Sequence, residues 1–171
     1  MRAEELRSIQ KPLKERYRQE PNMAMITLKA QGRVGEGVTC SIQTGKALVQ
    51  AGLHPATGGN GMNVCSGDML LEALVACAGV TLASVATASD IGIRDAIIRA
   101  EGDLDFRGTL GVSKDTPVGF QEIRLHFDLD TDASEEQISK LIAVTERYCV
   151  VYQTLQHVPQ ISITPHIIHQ L

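Results

Sequence analysis

The stretch SGDMLLEALVACAGVTLASVATASDIG, residues 66–92, decides the fold of this chain. Its central part, residues 69–87, is rich in alanine and carries a single charge, Glu72. A helix that is apolar on every side either crosses a membrane or lies buried inside a protein. This run has no Trp or Tyr belt and no flanking Lys or Arg to set an orientation. It therefore predicts a buried helix rather than a membrane span, with Ser66 as its N-cap and Cys77 near its middle.

Alternating apolar and polar residues predict strands on both sides of this helix. The predicted strands cover residues 23–30, 38–45, 46–52, 94–106, 120–131 and 159–168, with a tight turn over GRVGEG (32–37) and a loop over 107–119. The sequence SEEQ, with Ser134 as N-cap and Gln137 at N3, is a capping box that opens a second helix reaching Tyr152. This order, without regular β–α–β alternation, predicts an α+β protein with antiparallel sheet and two main helices.

The composition favours a soluble globular protein with one domain. The chain has 171 residues, a net charge of −4, 43% hydrophobic residues and no tryptophan. A nucleic-acid-binding protein would show a basic patch, so no nucleic-acid partner is predicted. The N-terminus is charged and has no apolar signal-peptide core, which predicts a helical arm at 1–22, a folded domain at 23–171 and a cytoplasmic location.

Four cysteines in a reducing compartment are free thiols or redox groups rather than structural disulfides. Cys77 and Cys149 each lie on an apolar helix face, so they are either small core residues or a peroxidatic and resolving pair. Cys40 and Cys65 have no partner at the spacing of a metal site, and the five histidines are scattered. No metal site is therefore predicted, and HIIH (166–169) is interpreted as a solvated tail.

Two motifs resemble the OsmC/Ohr family. SGDMLLEALVACAG, from residue 66, is similar to the first-cysteine helix of that family, and TERYCVVYQTL (145–155) is similar to its second-cysteine helix. The resemblance implies an OsmC-like fold, with antiparallel sheets wrapped around two central helices in an intertwined homodimer. It also implies reduction of organic hydroperoxides without metal, haem or other bound cofactor, using an external dithiol such as a lipoyl group. By motif position, Cys77 is the peroxidatic thiol and Cys149 the resolving thiol.

The same resemblance assigns two further site residues. The family's catalytic acid falls on Asp68, where Glu is more common, and its arginine falls on Arg33 in QGRVGEG. Each has an alternative interpretation: Asp68 as an acid that complements the helix dipole, and Arg33 as a solvated turn residue. Glu72 is the competing acid. The family often has Pro after its second cysteine, whereas this chain has Val150.

Helix geometry restricts how Asp68 can act. Nine residues along a straight helix rotate the side chain by about 180° and rise about 13.5 Å. Asp68 and Cys77 of one chain then point in opposite directions. If both serve one site, that site contains residues of two chains. Two functions stay open at this point: a thiol-dependent hydroperoxide reductase, or a non-catalytic dimeric stress or small-molecule-binding protein whose cysteines pack its core.

Overall fold

The computed structural model describes residues 3–34, 40–42 and 51–165 of the chain. Its five helices in this part are α1 Ala3–Gln19, α2 Ser66–Ala88, α3 Phe106–Thr109, α4 Glu135–Tyr148 and α5 Val150–Gln156. Its six strands are β1 Met25–Val34, β2 Cys40–Ile42, β3 Ala51–Gly52, β4 Val64–Cys65, β5 Ile93–Asp105 and β6 Phe120–Thr131. Two short 3₁₀ turns, Pro21–Ala24 and Pro55–Thr57, complete the described elements. The predicted α+β class is confirmed.

The main sheet is antiparallel, with the strand order β2-β1-β5-β6. Buried and exposed side chains alternate along its strands, because successive side chains of a strand point to opposite faces. On β5 the buried residues Ala96, Ile98 and Ala100 face the core. The other face of β5 carries Ile97 and several charged residues, and Arg99 forms an ion pair with Asp128 across the β5–β6 ladder at 2.6 Å. One face of the sheet is therefore apolar and the other is charged.

Helix α2 packs against the apolar face of this sheet and against α4 and α5. Leu71, Leu74, Val75, Ala78 and Leu82 are almost completely buried on one side of the helix. The helix is long and apolar enough to cross a membrane by length and composition, and 44% of its most apolar window is buried in this chain. The predicted N-cap is wrong by one residue, because Ser66 already has helical geometry and Cys65 is the cap.

The second predicted helix is divided at Cys149. The capping box that opens it is confirmed: Ser134 N–H donates to Gln137 Oε1 at 2.9 Å, and Gln137 N–H donates to Ser134 Oγ at 3.3 Å. Helix α4 then ends at Tyr148, Cys149 adopts an extended conformation, and α5 begins at Val150. The prediction of one continuous helix was wrong, because an apolar face at helical spacing is also present on two helices that meet at a cap.

Three other local predictions need correction or fall outside the described residues. The turn predicted from Gly32 is wrong at its start, because β1 continues through Val34. The short helix α3 lies where a loop was predicted. Residues 35–39, 43–50 and 166–171 lie outside the described part, so the rest of the turn, most of strand 46–52 and the HIIH tail are not described.

The final predicted strand is absent from residues 159–165. Side chains with strand-like alternation, Ile161 and Ile163, are 77% and 89% exposed, and the preceding Val158 is 85% exposed. A strand is stable only when its backbone pairs with another strand, and the described part of the chain offers no such partner to this segment. The alternation was therefore insufficient evidence for a strand.

The N-terminal helix α1 is attached to the loop that precedes α2. Tyr17 is 3% exposed and its hydroxyl donates to the carbonyl of Ala56 at 2.6 Å. Gln10 Nε2 donates to the Thr57 carbonyl at 3.3 Å. The predicted helical character of this segment is confirmed, while the division into an arm at 1–22 and a domain at 23–171 stays a prediction.

Candidate active site

Cys65, Cys77 and Cys149 are free thiols. Cys77 lies in the middle of α2 and is partly buried, whereas Cys149 is 1% exposed. Across residues 3–34, 40–42 and 51–165, no group of three or more His, Cys, Asp or Glu side chains is arranged to hold a metal ion.

Cys77 and Cys149 are brought together by the packing of α2 on the α4–α5 junction. The Cys77 thiol contributes to the raised pKa of the Cys149 thiol, so the two side chains lie near each other. They come from helices that are far apart in sequence, so only the tertiary packing creates this contact. A disulfide between them would need their Cα atoms within about 7 Å at some stage of the reaction. The arrangement is compatible with two-cysteine redox chemistry.

Cys149 occupies a protected position at the start of α5. Its Sγ accepts a hydrogen bond from the backbone N–H of Tyr152 at 3.5 Å and so caps that helix. Burial raises the pKa of the Cys149 thiol to about 11, and the neighbouring Cys77 adds to the effect, although the Tyr152 N–H opposes it. At neutral pH Cys149 is therefore a protonated thiol. Since the thiolate is the nucleophile, Cys149 is poorly suited to attack a substrate first.

A cleft of about 440 Å³ lies between β6 and the α4–α5 unit. Its apolar lining comes from Leu74, Phe120, Ile123, Leu125, Phe127 and Leu155, and Glu122 and Glu146 contribute charge. Leu74 precedes Cys77 by about one helical turn. Tyr152, which also lines the cleft, binds Cys149 through its backbone. The lining contains residues of the helices that carry the two cysteines, but neither cysteine itself.

Asp68 lies in the first turn of α2 and is partly buried. Burial raises its pKa, and the charge of His54 opposes this shift. Glu72, one turn further along, has a pKa raised by burial and by the charge of Asp68. Because α2 is continuous from Ser66 to Ala88, Asp68 and Cys77 of one chain point in opposite directions, as the nine-residue spacing predicts.

Arg33 projects from β1 and pairs with Asp95 of β5 at 2.9 Å. Its side chain is 62% exposed. No hydrogen bond or ion pair joins Arg33 or Asp68 to either cysteine in the part of the chain that the structure describes. Of the four predicted site residues, one chain therefore brings together Cys77 and Cys149 and leaves Arg33 and Asp68 elsewhere.

His54 is a neighbour of the predicted acid that sequence reasoning missed. It precedes the 3₁₀ turn Pro55–Thr57, and its charge interacts with that of Asp68. The available signal was a titratable residue in the Gly- and Asn-rich loop that leads into α2. Nothing in the sequence distinguishes His54 from the other scattered histidines, because only the fold places this loop against the start of α2.

This chain is similar to a known protein family and to individual proteins of that family. The family model described as OsmC-like protein matches residues 58–164, well over half of the chain. A relative from Mycoplasma pneumoniae named hydroperoxide reductase is 30% identical over 98 residues. That match covers 57% of this chain and 66% of the relative, just under two thirds of its length.

Solved structures share the fold. A crystal structure of an OsmC-like protein from Mycoplasma pneumoniae matches with a TM-score of 0.55 and 21% identity, covering 78% of this chain and 86% of that one. An OsmC-like hydroperoxide resistance protein from Jannaschia sp. CCS1 matches with a TM-score of 0.62 and 12% identity, covering 84% and 95%. At these identities the likeness concerns the fold. By the extent of the family match, this chain belongs to the OsmC-like protein family.

Proposed function

We propose that this chain is a thiol-dependent peroxidase that reduces organic hydroperoxides, with Cys77 as the peroxidatic thiol and Cys149 as the resolving thiol. The observation that carries the proposal is the packing of α2 against α4 and α5, which brings the Cys77 thiol near enough to Cys149 to contribute to its raised pKa. Membership of the OsmC-like family and a relative named hydroperoxide reductase support this class of reaction. The exposure of the two thiols supports the assignment of Cys77 as the thiol that reacts first, because Cys77 is more accessible than Cys149.

The proposed reaction has three balanced steps. The Cys77 thiolate attacks the terminal oxygen of ROOH, the O–O bond breaks, and the alkoxide takes a proton to leave as ROH. Cys77 is then a sulfenic acid, oxidised by two electrons. The Cys149 thiol attacks this sulfur, its proton leaves with the departing hydroxyl as water, and a disulfide forms. An external dithiol, which we propose to be a lipoyl group or a similar compound of the cytoplasm, reduces the disulfide by exchange.

The cleft supports an organic rather than an inorganic peroxide as the substrate. Its phenylalanine and aliphatic side chains would bury an alkyl or aryl group between β6 and the helices that carry the cysteines, and burial of apolar surface favours binding. Hydrogen peroxide has no apolar group and would gain nothing from this lining. A bulky hydroperoxide such as cumene hydroperoxide is therefore a suitable probe.

A homodimer is the proposed form of the active protein. The side of α2 that faces away from the sheet exposes Met69, Ala73 and Val80, an apolar row in which Cys77 also lies. Such a row is normally covered in a soluble protein. We propose that a second copy covers it, which would shield Cys77 and bring Asp68 and Arg33 of one copy toward the thiols of the other. In that arrangement the arginine would stabilise the thiolate and the acid would orient the arginine.

The dimer is expected to depend on this row of α2. The protein should sediment at twice its chain mass of 18.5 kDa, and Val80→Glu, which places a charge in the row, should shift it to a monomer. Ser139→Glu, on the exposed side of α4, is the matched control and should leave the mass unchanged. A wild-type protein that sediments as a monomer at micromolar concentration would contradict this arrangement.

Oxidation of the wild-type protein tests the proposed function directly. Reduced protein mixed with cumene hydroperoxide should form a Cys77–Cys149 disulfide, detected by peptide mass spectrometry after alkylation, and should consume peroxide continuously when dihydrolipoamide is added. Cys65 should stay reduced and serves as the internal control. Unchanged peroxide, with Cys77 and Cys149 both found alkylated, would instead favour the non-catalytic stress or small-molecule-binding protein.

A further inference from the structure

Phe120, the first residue of β6, is turned toward the core by an irregularity in its strand. From Ile123 onward the apolar side chains of β6 occupy every second position, and the same alternation continued backward would place Phe120 on the opposite face. The ladder with β5 shifts by one residue between Asp103 and Leu104, which leaves Gln121 as an extra residue of β6. Such a β-bulge changes the direction of neighbouring side chains. Phe120 and Ile123 therefore both pack against the core.

Gly102 of β5 leaves the space that the ring of Phe120 occupies. It is buried and lies on the same face of β5 as the buried Ala100. A Cβ atom at Gly102 would lie 2.4 Å from Cε1 and 2.6 Å from Cδ1 of the Phe120 ring. Carbon atoms in contact are about 3.5–4.0 Å apart, so the ring lies directly over the glycine backbone. A side chain at this position would therefore force the ring away from the sheet.

The same ring forms part of one wall of the cleft between β6 and the α4–α5 unit. Its neighbours in this wall are Ile123, Leu125 and Phe127. The cleft volume of about 440 Å³ lies within the range of small-molecule pockets, which is about 300–1,000 Å³. The ring lies on the face of the sheet that the helices cover, so a ring displaced from Gly102 moves toward the helices and into the cleft. The absence of a side chain at Gly102 thus keeps the cleft open.

We propose that Phe120 and Gly102 together determine which organic group the cleft accepts. Phe120 would contact the bound group, and Gly102 would act through the position of the ring. A wall that contains the rings of Phe120 and Phe127 favours an aryl group, because aromatic pairs gain more than the burial of their apolar surface. The proposal rests on the proposed function, because it takes the cleft as the place where the organic group of the hydroperoxide binds.

Cumene hydroperoxide and tert-butyl hydroperoxide form a matched pair of substrates, because a phenyl group in the first replaces a methyl group in the second. The quantity to measure is the ratio of their kcat/KM values, with cumene hydroperoxide as the preferred substrate of the wild type. Gly102→Ala should lower this ratio about tenfold, because the displaced ring overfills the cleft. Gly92→Ala, just before β5, is the matched control, since a Cβ atom there meets nothing within 4 Å, and its ratio should equal that of the wild type. An unchanged ratio in Gly102→Ala would overturn the proposal.

Phe120→Leu tests whether Gly102 acts through the ring. Leucine lacks the Cε1 and Cζ atoms that a Cβ atom at Gly102 would meet. In the Phe120→Leu background, Gly102→Ala should change the ratio by less than about twofold, because substitutions of two residues in contact are not additive. An equally large effect in both backgrounds would overturn the proposal, since alanine would then act through the backbone of β5. Phe120→Leu alone should lower the ratio, and an unchanged ratio in this variant would also overturn the proposal.

A binding measurement without peroxide distinguishes failure of this inference from failure of the proposed function. Reduced protein is titrated with cumyl alcohol, the product formed from cumene hydroperoxide, and its backbone amide signals are followed by NMR. In the wild type the signals of β6 from Ile123 to Phe127 should shift, and Gly102→Ala should raise the Kd about tenfold. An unchanged Kd, or no shift on β6, would overturn the inference even if peroxide is consumed. A raised Kd in a protein that consumes no peroxide would support the inference and refute the proposed function.

Discussion

Replacing Cys77 by Ser is expected to abolish dithiol-dependent reduction of cumene hydroperoxide, with a loss of at least about a thousandfold in kcat/KM. The alcohol cannot supply the thiolate that attacks the O–O bond, and Cys149 cannot take over. Cys149 is 1% exposed, and burial raises the pKa of its thiol to about 11. The measurement is peroxide consumption with dihydrolipoamide in excess.

The Cys149→Ser and Cys65→Ser variants complete this test. Cys149→Ser should consume about one equivalent of peroxide per chain and then stop, because the sulfenic acid on Cys77 has no resolving thiol. Cys65, the N-cap residue of α2, makes no side-chain capping hydrogen bond, so Cys65→Ser should retain wild-type turnover. Turnover of Cys77→Ser within twofold of the wild type would refute the assignment of the peroxidatic thiol.

The second large effect concerns the stability of the loop after β5. Asp105 is 2% exposed, and its carboxylate accepts hydrogen bonds from the backbone N–H of Arg107 at 3.0 Å and from the Arg107 guanidinium. It thereby caps α3 and balances the charge of Arg107. Asp105→Ala removes both interactions and should lower the free energy of unfolding by about 3 kcal/mol, since loss of one partner of a buried ion pair is costly. Urea unfolding at pH 7 measures the change.

Two controls are Asp105→Asn, which removes the charge of the side chain, and a substitution in the exposed Arg94–Asp130 ion pair. Asp105→Asn keeps an oxygen that can accept from the Arg107 N–H, so it should cost less than Asp105→Ala. Asp130 forms an ion pair with Arg94 with both side chains more than half exposed, and Asp130→Asn should change stability little, because exposed ion pairs contribute little. Equal stability of Asp105→Ala and the wild type would contradict the role of this pair.

The pH dependence of this effect has a definite sign. The hydrogen bonds from Arg107 lower the pKa of Asp105 below its ordinary value of 3.8. A carboxyl whose pKa is lower in the folded state stabilises the fold above its unfolded pKa, and that contribution is lost as the pH falls through the folded pKa. The stability difference between wild type and Asp105→Asn should therefore be complete at neutral pH and shrink below about pH 3.8.

Several features could be predicted from the sequence because they depend on interactions between residues close together in the chain. The capping box at Ser134 and Gln137 involves residues three apart, and both hydrogen bonds form as predicted. The alternation in β5 and β6 reports which side chains are buried, so these strands were recognised within one or two residues. The apolar run that contains Cys77 forms a helix, as its length and composition predicted, because so long an apolar segment is not stable when it is exposed to water.

Other predictions failed where a distant partner was needed. Residues 159–165 alternate like a strand, yet no described strand pairs with them. Arg33 was assigned to a turn, but pairing with β5 extends β1 through this residue. The assignments of Arg33 and Asp68 to the site stay predictions, because they depend on how two copies would assemble.

The fold class, the central helix and the two cysteines that carry the proposed chemistry could all be predicted from the residue pattern and its family resemblance. Only the tertiary structure packed α2, with Cys77, against the helices that flank Cys149. The reason is physical: a helix cap or an alternating strand is decided by neighbours a few residues away, whereas a contact between side chains on separate elements depends on packing of the whole sheet and its helices. Residue type indicates which chemistry is available, and packing decides which groups meet.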